Sequence, residues 1–291
     1  MNKDKNILRP IDLFIIVYNI LMVIVAALYF SEVSVMQTVV MRHIIVIAII
    51  ILIQGAVADH SSSLTIFISD WYPILTLPLA YRWSGDFIHV IFPWEIDLLL
   101  NQFDCLLLGS ESVVILQRLS SWWFTDLMQV SYCLFFIMIL GSSYIFYKKH
   151  YFRDFADLRL SIVMALYGTY ILSMLFPAHS PRFVTCPDLV LNGGWLTAQI
   201  NMFISKSSYC GGSFPSGHAA ASLIICLFVR HHAKGWFLPF MISTVLLLLS
   251  TLYGGYHYMA DILGGFIHGW LAMYLSVCWN KWWQRDECPI I

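Results

Sequence analysis

Two histidines and an aspartate have types and spacing suited to phosphorus chemistry. His257 and Asp261 are four positions apart, so on a helix they share one face. Asp261 can then accept a hydrogen bond from one ring nitrogen of His257, which fixes the tautomer and leaves the other nitrogen free as a nucleophile. A His–Asp pair that only links helices has the same spacing, and for this pair alone the two readings balance. Thirty-nine positions earlier the chain reads Pro215-Ser216-Gly217-His218. Unpaired backbone N–H groups in the first turn of a helix carry partial positive charge and cradle phosphate. Gly217 lets an anion approach the backbone, Ser216 adds a hydroxyl donor, and His218 can protonate a leaving oxygen. Taken alone, Pro-Ser-Gly is simply a helix start. A third polar stretch, His179-Ser180-Pro181-Arg182, supplies a cation, Arg182, as a candidate phosphate ligand.

The elements that must position these residues are membrane helices. The chain has 291 residues, 59% hydrophobic and 11% charged, against about 25% charged in soluble domains. So apolar a surface needs lipid as its solvent. A net charge of -1 gives no overall field that would draw nucleic acid. Lys3, Lys5 and Arg9 precede an apolar run from Ile11 to about Phe30, read as a retained first helix rather than a cleaved signal peptide. A span needs about 20 mostly apolar residues. Eight segments approach this: 11–30, 43–58, 64–81, 126–147, 160–176, 217–230, 235–252 and 259–279. Asp70 and Pro73 interrupt the third and the sixth is short, so six to eight spans are expected, in an all-α polytopic bundle. The expected organisation is N-terminal membrane helices over 1–82, an outer interfacial connecting segment over 83–125, a catalytic membrane core over 126–279 and a cytoplasmic tail over 280–291. Within the connecting segment, 95–120 can form an amphipathic helix on the membrane surface or an ordinary loop packed on the bundle.

With eight spans and the N-terminus inside, the inner segments hold eleven Lys and Arg and the outer ones five, satisfying the positive-inside rule. The strongest signal is Lys148-Lys149-His150-Tyr151-Phe152-Arg153. In this orientation the three polar features all fall on the outer side. The seven cysteines show no Cys-x-x-Cys spacing, which argues against a zinc site or an iron–sulfur cluster. Cys186 and Cys210 share the 177–216 loop and can pair as a disulfide in an oxidising compartment. His268, two turns beyond Asp261, reads as a packing or interhelix hydrogen-bonding residue.

Pro-Ser-Gly-His followed, after a helical hairpin, by His-x-x-x-Asp resembles the type 2 phosphatidic acid phosphatase superfamily, over about 126–279. The resemblance implies a six-helix-type phosphatase core and a two-step mechanism without metal or other cofactor. His257 attacks phosphorus and becomes a phosphohistidine, Asp261 orients it, His218 protonates the leaving group, and Ser216 and Gly217 hold phosphoryl oxygens. Two parts of the family pattern are missing. Pro181-Arg182 has no lysine ahead of it, and Thr251 stands where an arginine is expected six residues before the nucleophile. A weaker cation clamp fits a singly charged phosphodiester better than a dianionic monoester. Cys210-Gly211-Gly212-x-x-x-Ser216-Gly217-His218 and His257-Tyr258-x-x-Asp261 are similar to motifs of the sphingomyelin synthases and inositol phosphorylceramide synthases, with Gly212 where the former carry Asp. Asp70-Trp71-Tyr72-Pro73 is similar to sequences in bacterial relatives of that branch.

The function expected is thus lipid phosphotransfer in a bilayer, probed by phospholipid substrate rather than nucleic acid, with the site on the extracytoplasmic face of a plasma (inner) membrane. Water as acceptor would make the protein a lipid phosphate phosphatase. A non-catalytic membrane protein on the same fold is the reading outside enzymology.

Overall fold

The computed structural model describes residues 8–283 other than 32, 60, 61, 150, 188 and 208. These residues form helices and no β-strand; one isolated bridge joins Ala178 to Gly212. The long helices are α1 (Pro10–Tyr29), α2 (Val33–Asp59), α3 (Ser63–Ser84), α6 (Trp122–Lys148), α7 (Phe152–Leu175), α10 (Gly217–His232), α11 (Phe237–Tyr253) and α12 (Met259–Trp283). Shorter ones, α4 (Asp97–Leu108), α5 (Ser112–Gln117), α8 (Pro181–Val184) and α9 (Trp195–Ser207), lie in the connections. All eight apolar segments read from sequence are therefore helical. Six stretches are long and apolar enough to cross a membrane: Pro10–Tyr29, Val35–Asp59, Trp122–Lys148, Phe152–Leu175, Lys234–Tyr253 and Met259–Trp283. The two long helices that fall short, α3 and α10, are the interrupted and the short segment.

Each has a physical account. Pro73 cannot donate to the Ser69 carbonyl one turn back; the Arg9 guanidinium donates to it instead, at 2.7 Å. The α3 helix therefore continues through its prolines with that carbonyl satisfied, as a low-dielectric interior requires. The α10 helix is short but lies against α6, α7, α11 and α12. Central to the bundle is α7, the most enclosed of the crossing helices, which packs against α1, α3, α10 and α12.

Close helix approach in the core rests on glycine. A Cβ on Gly265 would sit 2.3 Å from the Ser216 carbonyl oxygen, and one on Gly269 would sit 2.7 Å from Cα of Ala220. This Gly-x-x-x-Gly face brings α12 onto the first turns of α10, the small-residue packing favoured where lipid removes the usual hydrophobic drive between helices. His268 donates across to α7 from Nε2–H to the Ala165 carbonyl at 2.8 Å, so it links helices as expected of it.

At the end of the bundle away from these first turns, Asp70 pairs with Arg9 at 3.1 Å and with Arg159 at 3.0 Å, and Arg159 also bonds the Asp70 carbonyl. Fully buried Asp12 accepts from Arg9, Gln54 and Tyr72. Asp70 and Tyr72 thus gain a structural role, docking α1, α2 and α3 on α7.

Two expectations about the connections need correction. The segment 95–120, read as either one amphipathic helix or a packed loop, is two helices, because Gly109 adopts φ +75° and ends α4 there. The 177–216 loop contains α9, whose start is held by Asp126 of α6: its carboxylate accepts from Gly194 N at 2.8 Å and from the Thr197 hydroxyl at 2.6 Å. Helix α12 runs to Trp283, and residues 284–291 of the segment read as a tail lie outside the described residues.

Candidate active site

The starts of α10 and α12 meet side by side, and their side chains form a continuous line. Nδ1 of His218 lies 3.1 Å from Nε2 of His257. Nδ1 of His257 lies 3.1 Å from Oδ2 of Asp261. The same carboxylate oxygen accepts from the Tyr258 backbone N–H at 2.9 Å, while the Asp261 carbonyl accepts from Ser216 N at 2.9 Å. His218, His257, Asp261 and Ser216, singled out from sequence, are thus brought together. With Asp261 accepting, His257 carries its proton on Nδ1 and directs a lone pair from Nε2. His257 lies in the turn between α11 and α12, and burial pushes its imidazole down to about 4. Burial thus favours the neutral ring, the form that a nucleophilic histidine requires.

Ser216 is the N-cap of α10. Its Oγ accepts from Ala219 N at 3.3 Å, which leaves its own hydrogen available to a ligand. Gly217 is tighter than a bare cradle requires: a Cβ there would meet Leu166 of α7 at 3.1 Å. Its small size therefore serves α7 packing as well. Arg182 is placed by its backbone, whose N–H donates to the Gly255 carbonyl at 3.0 Å. Its guanidinium lies 5.2 Å from the centroid of the Tyr256 ring, beside His257, and among the described residues it makes no ion pair. Tyr256 packs against Tyr132, centroids 4.7 Å apart and rings tilted by 42°, and Tyr132 and Phe135 of α6 cover the His218 ring.

Thr251, where the family pattern places arginine, is fully buried. Its hydroxyl turns back to the Leu248 carbonyl, and its own carbonyl accepts from the backbone N–H groups of Tyr256 and His257. The residue shapes the turn that presents His257 and carries no cation to it.

Several residues not anticipated from sequence hold this turn. Asp104 of α4 accepts from Met259 N at 2.9 Å and Ala260 N at 3.1 Å, capping α12 from a distant part of the chain. Asp97 accepts from the Tyr258 hydroxyl at 3.1 Å and from His179 N at 2.9 Å. Gln117 of α5 donates to the Tyr253 carbonyl at 2.7 Å. Ser213 donates to the His179 carbonyl at 3.0 Å. A signal was present: Asp97, Leu100 and Asp104 recur at helical spacing and are buried, whereas Leu98, Leu99, Leu106 and Leu107 of the same helix are exposed. The helix puts its acids inward and its leucines outward, so the connecting segment both packs on the bundle and offers an apolar face.

The Cys186–Cys210 disulfide that a shared loop allows is not formed. Both thiols are free, and Cys186 donates to the Glu111 carboxylate at 3.3 Å. Sharing a loop does not aim two Cβ atoms at each other.

Residues 106–275 match the PAP2 superfamily. A PA-phosphatase related-family protein of Dictyostelium discoideum is similar to the chain, 28% identical over an alignment of 165 residues that covers 48% of this chain and 29% of the relative. The chain thus spans well under half the length of that relative. No solved structure matches it.

Proposed function

The chain belongs to the PAP2 superfamily, and from that premise we propose that it is an integral-membrane lipid phosphotransferase working through a phosphohistidine on His257. The observation that carries this reading is the hydrogen-bonded line His218–His257–Asp261. Nε2 of His257 attacks phosphorus, the bond to the leaving oxygen breaks, and His218 gives that oxygen its proton. In the second step His218 takes the proton of an acceptor hydroxyl, the acceptor oxygen attacks phosphorus, and the N–P bond breaks to restore His257. Asp261 holds the Nδ1–H tautomer throughout and stabilises the charge that develops on the ring. Ser216, the N–H groups at the start of α10 and Arg182 bind the phosphoryl oxygens. No step calls on a metal ion.

The donor proposed is a phosphodiester lipid whose phospho-head group passes to a lipid hydroxyl, in the manner of the sphingolipid synthases. Buried Thr251 in place of an arginine supports this, since a singly charged diester needs fewer cations than a monoester. The site is assigned to the extracytoplasmic face of a plasma (inner) membrane, because Lys148, Lys149 and Arg153 cluster where α6 ends and α7 begins, at the opposite end of the bundle. The second reading, a phosphatase that uses water on phosphatidate or a polyprenyl diphosphate, is favoured by the name of the Dictyostelium relative.

The deciding experiment presents the purified protein in vesicles with phosphatidate, with a polyprenyl diphosphate, and with a diester donor plus ceramide or diacylglycerol. Head-group transfer to the lipid acceptor is expected. Release of free phosphate with no lipid acceptor present would overturn the transferase reading in favour of the phosphatase. Activity unchanged in both His257→Ala and His218→Ala would overturn catalysis by this site altogether.

A further inference from the structure

At the same end of the bundle, outside the catalytic line, a second set of ligating side chains converges. His89, Glu95 and His179 each offer one atom, and the three atoms lie within 4.8 Å of one another. Glu95 Oε1 is 3.2 Å from His179 Nδ1 and 3.7 Å from His89 Nε2. Around a tetrahedral ion with bonds of about 2.0–2.1 Å, neighbouring ligand atoms stand roughly 3.3 Å apart. The two separations from Glu95 are already close to that value, and the two histidine nitrogens lie within 4.8 Å of each other.

The orientation of the groups matters as much as their distances. His179 Nδ1 is shut off from solvent and makes no hydrogen bond, although the Glu95 oxygen is 3.2 Å away. The two atoms are near but not aimed at each other, as expected of ligands directed at a shared third centre. The rings of His89 and His179 lie 27° from parallel with centroids 5.9 Å apart, so neither blocks the other. Two imidazoles and one carboxylate suit zinc and its neighbours in the first transition row rather than magnesium or calcium, which take oxygen donors. The lack of Cys-x-x-Cys spacing speaks only to thiolate sites.

We propose that His89, Glu95 and His179 bind one zinc-class divalent cation, with water in the fourth position, and that this ion fastens the segment before α4 onto the loops carrying His218 and His257. The connections are short. The His179 backbone N–H donates to Asp97, which also receives the Tyr258 hydroxyl, next to His257. The His179 carbonyl receives the Ser213 hydroxyl, in the loop leading to Ser216. His89 packs against Gly211 of that same loop, where a Cβ would meet its Nε2 at 3.5 Å. The ion takes no part in bond making or breaking at phosphorus; it ties together the loops on both sides of the site.

The test is zinc binding to the full chain in detergent, purified through an affinity tag free of histidine. Equilibrium dialysis with metal analysis should find one zinc per chain at micromolar free zinc. Cobalt(II) should give the intense ligand-field absorption of a tetrahedral site. Zinc should raise the thermal midpoint of the wild-type protein, because a ligand bound only by the folded state stabilises it. His89→Ala/His179→Ala and Glu95→Gln should lose the stoichiometric zinc, the cobalt band and the thermal shift. No zinc retained by wild type, or equal retention by wild type and variants, overturns the proposal. Should the variants fail to fold, the wild-type stoichiometry and the cobalt spectrum decide it: octahedral cobalt or no binding refutes the site.

Discussion

Nδ1 of His218 and Nε2 of His257 are 3.1 Å apart, and the nitrogen proposed to attack phosphorus is thus occupied by the group proposed to protonate the leaving oxygen. Substrate has to enter between them, replacing one hydrogen bond by two contacts to the same phosphoryl centre. The two histidines therefore fail differently when removed. Loss of a general acid costs roughly 10²–10⁴-fold, but only where the leaving group needs a proton. His218→Ala should lose activity on an alkyl phosphodiester and recover most of it on a nitrophenyl ester. His257→Ala should be inactive on both. Equal losses on both esters for His218→Ala would remove its role as acid.

Asp261 is completely buried, and Oδ2 serves both His257 and the Tyr258 N–H. In Asp261→Asn, an amide oxygen in the place of Oδ2 can keep both bonds but carries no charge to balance the His257 ring as it becomes cationic, while an amide NH2 there loses the Tyr258 bond and pushes the His257 proton to Nε2. The corresponding change in a serine protease triad costs about 10⁴ in kcat, and a loss of that order is expected here. Phosphoenzyme trapping with labelled donor should show no label in the variant.

Asp104 acts through position rather than contact with substrate. It caps α12 at Met259 and Ala260, two residues from His257. Asp104→Ala should lower stability by about 1–2 kcal/mol, the usual value of a lost cap, and kcat by up to about 10²-fold, as misplacement by an ångström does. Asp104→Asn should restore part of both. Leu106→Ala, on the exposed face of the same helix, is the control and should leave kcat unchanged.

The contact between α10 and α12 can be tested with a methyl group. A Cβ on Gly265 would sit 2.3 Å from the Ser216 carbonyl, which belongs to backbone and cannot rotate aside. Gly265→Ala should cost about 1–3 kcal/mol by overpacking and should reduce activity by separating His218 from His257. Gly55→Ala, where nothing lies within 4 Å, should do neither. Thermal midpoints and initial rates of the two variants compare them directly.

Burial holds His257 down at about 4, and the sign of the pH effect follows. The neutral, nucleophilic ring prevails above that value, so the chemical step should persist from neutral pH down to about 5 and fall as pH drops through about 4. The unfolded chain, with an ordinary histidine near 6.5, binds its proton earlier. Stability from the neutral ring is therefore fully present above about 6.5 and declines as pH falls towards 4. A single-turnover rate profile that instead bends near 6.5 would contradict the buried, neutral nucleophile.

Much of this was legible from residues alone. Hydropathy located all eight long helices, because a bilayer demands continuous apolar runs with their hydrogen bonds satisfied internally. The interruptions at Asp70 and Pro73 and the shortness of 217–230 marked the two helices that fall below the criteria for a span. Spacing marked His257 with Asp261, and the turn wording marked Ser216, Gly217 and His218, since local geometry dictates both.

Tertiary structure decided what long-range partners do. Nothing local to Asp104 says that it caps a helix about 155 positions later, nor that Thr251 uses its carbonyl to fix the His257 turn. Over 95–120, where an amphipathic helix and a packed loop were both open from sequence, Gly109 divides two helices, because a left-handed residue is a property of the folded turn. Cys186 faces Glu111 and not Cys210, since side-chain direction is set by packing rather than by membership of a loop. The candidate pair His218 and His257 was written in the sequence as two motifs; the distance between them was set by Gly265 and Gly269, whose missing side chains let two helices touch.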